Sequence, residues 1–125
     1  DERACEEFTA KLDELKVPTR RLDCLVNQRS VDVPLGLPFN IASYAMLTAI
    51  IANEVGMGVG DLIFSLGDAH IYANQVEAVK EMLKRECKPL PKLRLEYKEE
   101  YSVDDLVAAV VGYDPHPAIA IPIAV

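Results

Sequence analysis

Three arginines in one short stretch are the residues of this sequence best suited to binding an anion. Arg20, Arg21 and Arg29 lie in a stretch whose one acidic residue is Asp23. The chain as a whole carries a formal net charge of −7, whereas a domain that binds nucleic acid usually presents a basic surface. We therefore expect no nucleic-acid partner, and a phosphate group, if one binds, must be held locally by these arginines.

The cysteines and histidines do not form a pattern typical of a metal site. Cys5, Cys24 and Cys87 are odd in number and irregularly spaced, and they include no CxxC pair. We expect neither a disulfide framework nor a bound metal, and a reducing, cytoplasmic setting. No apolar run approaches the ~20 residues of a membrane helix, so we expect no membrane partner.

The length and composition predict one domain that spans residues 1–125. Half of the 125 residues are hydrophobic, which is enough to bury a core. Spacing of three and four residues between Cys5, Phe8, Leu12 and Leu15 predicts an N-terminal helix with one buried stripe. The segment Leu22–Val31, bounded by prolines, predicts a strand.

The rest of the chain alternates between helical and extended patterns, which predicts a mixed α+β fold. Asn40 stands at the position of an N-cap before an almost uncharged helix that we expect to be buried nearly all round. Further along we predict a short strand at 61–65 that ends in a loop at 67–68, followed by an amphipathic helix at 70–86. A strand at 93–97 and a short helix that begins with a capping box at Ser102 come next. The chain then ends in an extended tail at 112–125, which we expect His116 to hold in place.

Three motifs stand in order along the chain. Residues 28–32 (QRSVD) are followed by 35–44 (LGLPFNIASY), then by 67–74 (GDAHIYAN), and finally by 112–117 (GYDPHP) with the ending 121–125. In order and spacing they resemble the C-terminal half of thymidylate synthase and the related deoxypyrimidine hydroxymethylases, from about residue 24 to the last residue. The resemblance implies a thymidylate synthase-like mixed sheet with packed helices, without the N-terminal half of that fold.

The resemblance implies a binding site for deoxyuridylate (dUMP). In the family pattern, Arg29 and Ser30 hold the phosphate, while His70 and Tyr72 reach the sugar 3′-hydroxyl. Asn40 pairs with the uracil edge, since its amide can donate to O4 and accept from N3; hydroxymethylases that use cytosine resemble this site with Asp there. The implied substrate-binding set is Gln28, Arg29, Ser30, Asp32, Asn40, His70 and Tyr72.

The resemblance also implies a second ligand, a folate. 5,10-Methylenetetrahydrofolate is the one-carbon donor of the family, and a C-terminal tail closes over both ligands and excludes water. Family enzymes are homodimers, and the strand Leu22–Val31 would contribute to the sheet face that pairs. The positions that match the folate side are Asp32, Leu35, Gly36, Phe39 and, in the tail, Ala124.

The family's catalytic motif is missing from this sequence. The thiolate of a Pro-Cys-His motif attacks C6 of the pyrimidine, and the motif should stand some twenty residues before Arg29, where a charged helix surrounds Thr9. We therefore assign no catalytic residue, and expect a nucleotide-binding half that is inactive alone. The alternative is a non-catalytic domain that acts as a regulator or as an assembly module. The sequence does not distinguish methyl transfer from hydroxymethyl transfer.

Overall fold

The computed structural model describes residues 2–96, 98 and 100–123, and its centre is a strand–helix–strand unit. Strand β1 (Arg21–Asp32) leads into helix α2 (Gly36–Glu54), which returns to strand β2 (Gly58–His70). The two strands pair in parallel, and α2 packs on one face of this sheet. The predicted α+β class is confirmed.

The smaller elements surround this unit. Helix α1 (Glu2–Glu14) precedes β1, and a single 3-10 turn (Ala73–Gln75) leads from β2 into helix α3 (Val76–Leu83). Strands β3 (Lys92–Leu93) and β4 (Val110–Val111) form a separate antiparallel pair that flanks helix α4 (Val103–Ala108). Among the described residues no helix is both long enough and apolar enough to cross a bilayer.

A bulge in β2, opposite the start of β1, sets the register of the parallel pair. The register shifts between Leu22 and Cys24, and the Asp61 N–H donates to Asp23 Oδ1 at 2.7 Å instead of to a ladder carbonyl. A Cβ at Gly60 would lie 2.7 Å from the Leu22 carbonyl oxygen, so only glycine fits this close approach. Every residue pair beyond the bulge follows from this offset.

The core lies between α2 and the sheet. Val26 of β1 is buried on the face that carries α2, where Tyr44 contacts Phe64, the register partner of Val26. Ala49 and Ala52 of α2 are buried too, and these small residues let the helix approach the strands closely. On the far side of the helix Ile51 is 43 % exposed. The prediction that α2 is buried nearly all round was wrong, because within the described residues only one of its faces is covered by the sheet.

Helix α2 begins at Gly36, four residues before the predicted N-cap. Asp32 Oδ1 accepts a hydrogen bond from the Leu35 N–H at 3.1 Å, which turns the chain into the helix at this point. Pro38 is then in the first turn, where a backbone N–H has no helical partner to lose. The N-cap role predicted for Asn40 was wrong.

Two more predictions of local structure were wrong. The stripe of α1 that we expected to be buried is not, and Phe8 is 66 % exposed, because periodicity identifies an amphipathic face without supplying a surface to cover it. The predicted loop at 67–68 is the end of β2, where a Cβ at Gly67 would lie 2.7 Å from the Arg29 carbonyl oxygen. Gly67 therefore allows the two strands to approach closely and does not mark a turn.

Other boundaries also shifted, while two local interactions were confirmed. The helix predicted at 70–86 is shorter, because His70 still belongs to β2. The strand predicted at 93–97 coincides with β3 only at Leu93, and residue 97 lies outside the described residues. The capping box of α4 is present: Ser102 Oγ accepts from the Asp105 N–H at 3.2 Å, and the Ser102 N–H donates to Asp105 Oδ2 at 3.0 Å. Hydrogen bonds from Lys98 and then from Ser102 hold the pKa of Asp105 well below its ordinary value.

Residues 113–123 of the predicted tail lie in no helix or strand, and His116 holds this segment as expected, while residues 124–125 lie outside the described residues. His116 Nε2 lies 2.9 Å from the Glu86 carbonyl oxygen, and Arg85 Nη1 donates to the Pro117 carbonyl at 2.6 Å. Lys88 adds an ion pair to Asp114 at 2.8 Å. These contacts fix the tail to the segment that follows α3.

Candidate functional site

The candidate site lies where β1 and β2 end. In the parallel register Ser30 stands beside Asp68 and Asp32 beside His70, and the Val33 N–H donates to the His70 carbonyl oxygen at 3.0 Å. The C-terminal ends of parallel strands therefore bring residues of the first and second motifs to one edge. Ligands of parallel α/β units characteristically bind at this edge.

Arg29 and Ser30, the predicted phosphate residues, differ in their surroundings. The Arg29 side chain is exposed and makes no hydrogen bond or ion pair with the described residues. Ser30 Oγ lies 3.5 Å from Asp68 Oδ2 and donates to it. A phosphate at Ser30 must replace this carboxylate as acceptor, whereas nothing described competes for Arg29.

Asp68 also fixes the orientation of His70. His70 Nδ1 lies 3.2 Å from the Asp68 carbonyl oxygen and 3.6 Å from Asp68 Oδ1. Because a carbonyl oxygen can only accept, the contact requires a proton on Nδ1, and Nε2 of the neutral ring is then an acceptor. An acceptor at Nε2 suits a sugar hydroxyl. Sequence analysis gave Asp68 no role, although it lies inside the second motif.

The rings of His70 and Tyr72 come together, as the shared sugar role requires. Their centroids are 4.8 Å apart with an interplanar angle of 79°, an edge-to-face contact. His70 ends β2, and Tyr72 immediately precedes the 3-10 turn. The chain reversal at the end of β2 thus presents both side chains at the same edge.

The residues predicted for the folate side meet at the start of α2. The bond from the Leu35 N–H to Asp32 Oδ1 joins two of them, and Gly36 follows as the first residue of the helix. Phe39 is 70 % exposed, which is unusual for a residue of its size. The predicted tail contact, Ala124, lies outside the described residues.

Asn40 lies one turn into α2 and is half-buried. It follows Gly36 by four residues, so both lie on the same side of the helix, about 6 Å apart along its axis. The helix start is tied to Asp32, and this connection places Asn40 on the same side of the unit as the end of β1. Its contact with a base remains a prediction.

Gln28 carries the one orphaned polar atom among the buried side chains described. Its Oε1 is shielded from solvent and lacks a hydrogen-bond partner among the described residues. Gln28 pairs with Leu66 across the strands, two residues before Ser30. A buried acceptor without a donor costs stability, so this oxygen is suited to accept a hydrogen bond from a ligand.

Gln75 joins three parts of the site, although no sequence motif identified it. Its Nε2 donates to Asp32 Oδ2 at 2.7 Å and to the Pro122 carbonyl at 3.2 Å, while its Oε1 accepts from the Tyr72 N–H at 3.1 Å. The one signal in the sequence was the spacing of a Gln three residues after Tyr72, which is half of a capping box.

Neither a thiol nor a metal cluster lies at this edge within the described residues. Cys24 is half-buried in β1, six residues and about 20 Å along the strand from Ser30, and Cys5 and Cys87 are exposed elsewhere. The described residues hold no group of three or more metal-binding side chains. The arrangement offers polar contacts for an anionic ligand.

Comparison with known protein families agrees with this geometry. The family model described as thymidylate synthase matches residues 5–125, nearly the whole chain. The match therefore includes most of α1 as well as the three motifs, and it begins before residue 24, where the resemblance of the motifs begins.

The orphaned Gln28 oxygen leads to a prediction for stability. Replacing Gln28 by Met keeps the shape and removes the unsatisfied acceptor, so the free energy of unfolding should rise by about 1 kcal/mol. Urea denaturation measures it, with Asn27→Met on the exposed face as control. A loss of stability specific to Gln28→Met would mean that the oxygen has a donor in solution.

Proposed function

The chain belongs to the thymidylate synthase family, and we propose that it binds deoxyuridylate at the edge where β1 and β2 end. Family members transfer a one-carbon unit from methylenetetrahydrofolate to C5 of a pyrimidine nucleotide. The observation that carries the proposal is the register of the strands, which sets Ser30 beside Asp68 and Asp32 beside His70. Residues far apart in sequence thus become neighbours.

Each part of the nucleotide finds a chemically suitable group at this edge. Arg29 offers a planar guanidinium that can engage two phosphate oxygens. His70 offers Nε2 as an acceptor for a sugar hydroxyl, with the ring held by Asp68 and Tyr72. Asn40 offers both a donor and an acceptor for the uracil edge, and the orphaned oxygen of Gln28 supplies a further acceptor.

We further propose that the folate lies against the start of α2. An exposed aromatic ring, Phe39, and the small residue Gly36 form an apolar surface there, next to the Asp32 carboxylate. A pterin carries N–H donors that a carboxylate can accept, and both oxygens of Asp32 retain lone pairs beyond the bonds to Leu35 and Gln75. Ala124 would join this surface from the tail.

The chain does not carry the group that starts the family reaction, so we propose that it binds substrate without converting it. Methyl or hydroxymethyl transfer requires a thiolate within bonding distance of C6, and Cys24 lies about 20 Å from the site edge along β1. Catalysis would need a nucleophile from outside this sequence. The alternative function, that of a non-catalytic regulator or assembly module, would use the same binding of the nucleotide.

A second copy of the chain is the partner that we propose for the open sheet face. Opposite α2, Leu25 and Ile63 are register partners that are 63 % and 51 % exposed. Half-exposed aliphatic residues on a sheet face are typical of a surface that packs against another layer. The family is typically dimeric, which supports this face as the contact.

The proposed dimer predicts the behaviour of Ile63→Lys. A charge in the centre of the apolar face should abolish association and leave the monomer folded, since Ile63 is already half-exposed. Sedimentation equilibrium measures the mass, with Leu83→Lys on α3 as control because Leu83 is 76 % exposed on another element. A dimer that survives Ile63→Lys, or a wild-type monomer at all concentrations, contradicts the proposal.

The phosphate role predicts a selective loss in Arg29→Ala. A charge-assisted contact contributes about 1.5 to 3 kcal/mol, so deoxyuridylate affinity should fall roughly ten- to a hundred-fold while deoxyuridine affinity stays unchanged. Calorimetry on both ligands gives the difference. Arg21→Ala is the matched control, because Arg21 lies at the far end of β1, where its Nε donates to the Val59 carbonyl at 3.2 Å.

Equal losses for Arg29→Ala and Arg21→Ala would show a diffuse charge effect, and no loss in Arg29→Ala would place the phosphate elsewhere. Either result contradicts the role proposed for Arg29. Repeating the titration at higher salt separates the two outcomes, since long-range attraction is screened more strongly than a direct contact.

The missing nucleophile predicts that the chain alone releases no C5 proton from deoxyuridylate in the presence of methylenetetrahydrofolate. Tritium release from nucleotide labelled at C5 measures the step, because exchange requires prior attack at C6. Release at the level of a protein-free control is expected. Release above background that Cys5→Ala abolishes would identify Cys5 as a nucleophile and overturn the proposal.

A further inference from the structure

The Gln75 carboxamide is the largest fully buried side chain described in this molecule, with an exposed fraction of 0 %. Its two N–H donors and its oxygen are all engaged: by Asp32 at the end of β1, by Pro122 in the tail, and by Tyr72 in its own turn. A buried polar group with every donor and acceptor satisfied holds its neighbours in one arrangement.

The chemistry of the three partners leaves one orientation for the amide. A carboxylate and a proline carbonyl can only accept, and the Tyr72 N–H can only donate. Exchanging the nitrogen and oxygen of the amide would therefore break all three bonds at once. The same amide nitrogen of Gln75 therefore binds both Asp32 and Pro122.

We propose that Gln75 is a positioning residue that couples the C-terminal tail to Asp32. Its single Nε2 group holds the Asp32 carboxylate and the Pro122 carbonyl together, while Leu35 secures the other oxygen of Asp32. The tail and the start of α2 thereby share one anchor. The consequence for ligand affinity rests on the proposed function; the anchor itself does not.

The coupling makes the tail depend on a residue 47 positions away in sequence. The contacts of His116 and Arg85 hold the tail near its proline-rich beginning, at 116 and 117. Pro122 is the next described hydrogen-bonding point of the tail, and it lies beside the site. Loss of the Gln75 donor should therefore free the end of the tail and leave its beginning in place.

The test replaces the donor while keeping the acceptor. Gln75→Glu preserves size and the oxygen that accepts from Tyr72, but sets acceptors against both Asp32 and Pro122. The backbone order parameters of Ile121 and Ile123, measured by NMR relaxation without ligand, should fall below about 0.6, the range of a flexible backbone. The order parameter of Ala118 should change little. Asn74→Asp is the matched control, since it adds the same charge at an exposed neighbour.

A reciprocal exchange separates positioning from general damage. In the double variant Gln75→Glu with Asp32→Asn, the new Asn amide can donate to the new carboxylate, while its oxygen still accepts from the Leu35 N–H. The population of unfolded chains, raised by either single change, should fall by about tenfold in the double variant. The order parameters at the end of the tail should remain low, because the Pro122 carbonyl still lacks its donor.

Order parameters of Ile121 and Ile123 in Gln75→Glu that equal those of the wild type and Asn74→Asp would overturn the coupling. A double variant that is no more stable than the single variants would overturn the Asp32 arm. Deoxyuridylate titrations are run separately: affinity lost in Gln75→Glu connects the anchor to the ligand, whereas a wild-type chain that binds no nucleotide refutes the proposed function and leaves the anchor result standing.

Discussion

The parallel pairing of β1 and β2 in a single register is the constraint on which the rest of the structure depends. The bulge in β2 opposite Asp23 fixes the offset, and beyond it eight register pairs run to Asp32 and His70 with one interruption. A slip of one residue would turn the inward side chains outward and separate the paired site residues. The glycines at 60 and 67 permit this register because each meets a carbonyl oxygen of β1 at close range.

Carboxylates organise the site edge as much as cations do. Asp68 accepts from Ser30 and orients His70, while Asp32 joins the start of α2 to Gln75. A phosphate entering this edge meets one exposed guanidinium, Arg29, in an acidic domain. A phosphate bound as we propose would lie where the carboxylates are already engaged, and the arginine would supply the attraction.

Local sequence signals predicted the parts of the fold that local interactions determine. β1 and the capping box at Ser102 were predicted because strand bounds and cap spacing involve adjacent residues. The start of α2 was predicted four residues too late. Asn40 is a typical N-cap residue, whereas the hydrogen bond from Leu35 to Asp32 has no comparable signal in the sequence. The end of β2 was missed since Gly67 is equally typical of a loop, and its role depends on the neighbouring strand.

Sequence motifs supplied the predicted members of the candidate site but not the connections between them. Matching motifs identified Arg29, Ser30 and His70, and the structure brings the motif segments to one edge. Gln75 could not be found in this way, because its three bonds join residues 3, 43 and 47 positions away. Such a role depends on burial and hydrogen bonding in the folded chain, and the periodicity of the sequence does not predict these long-range bonds.

The central claim is that this edge recognises a uracil nucleotide, and calorimetric titration of the unmodified chain tests it most directly. Deoxyuridylate and deoxycytidylate carry the same phosphate and sugar and differ at the base edge that faces Asn40. The account predicts that deoxyuridylate binds and that deoxycytidylate binds more weakly, since the Asn40 amide complements O4 and N3 of uracil. Equal affinities, a preference for deoxycytidylate, or no binding of either nucleotide would contradict it.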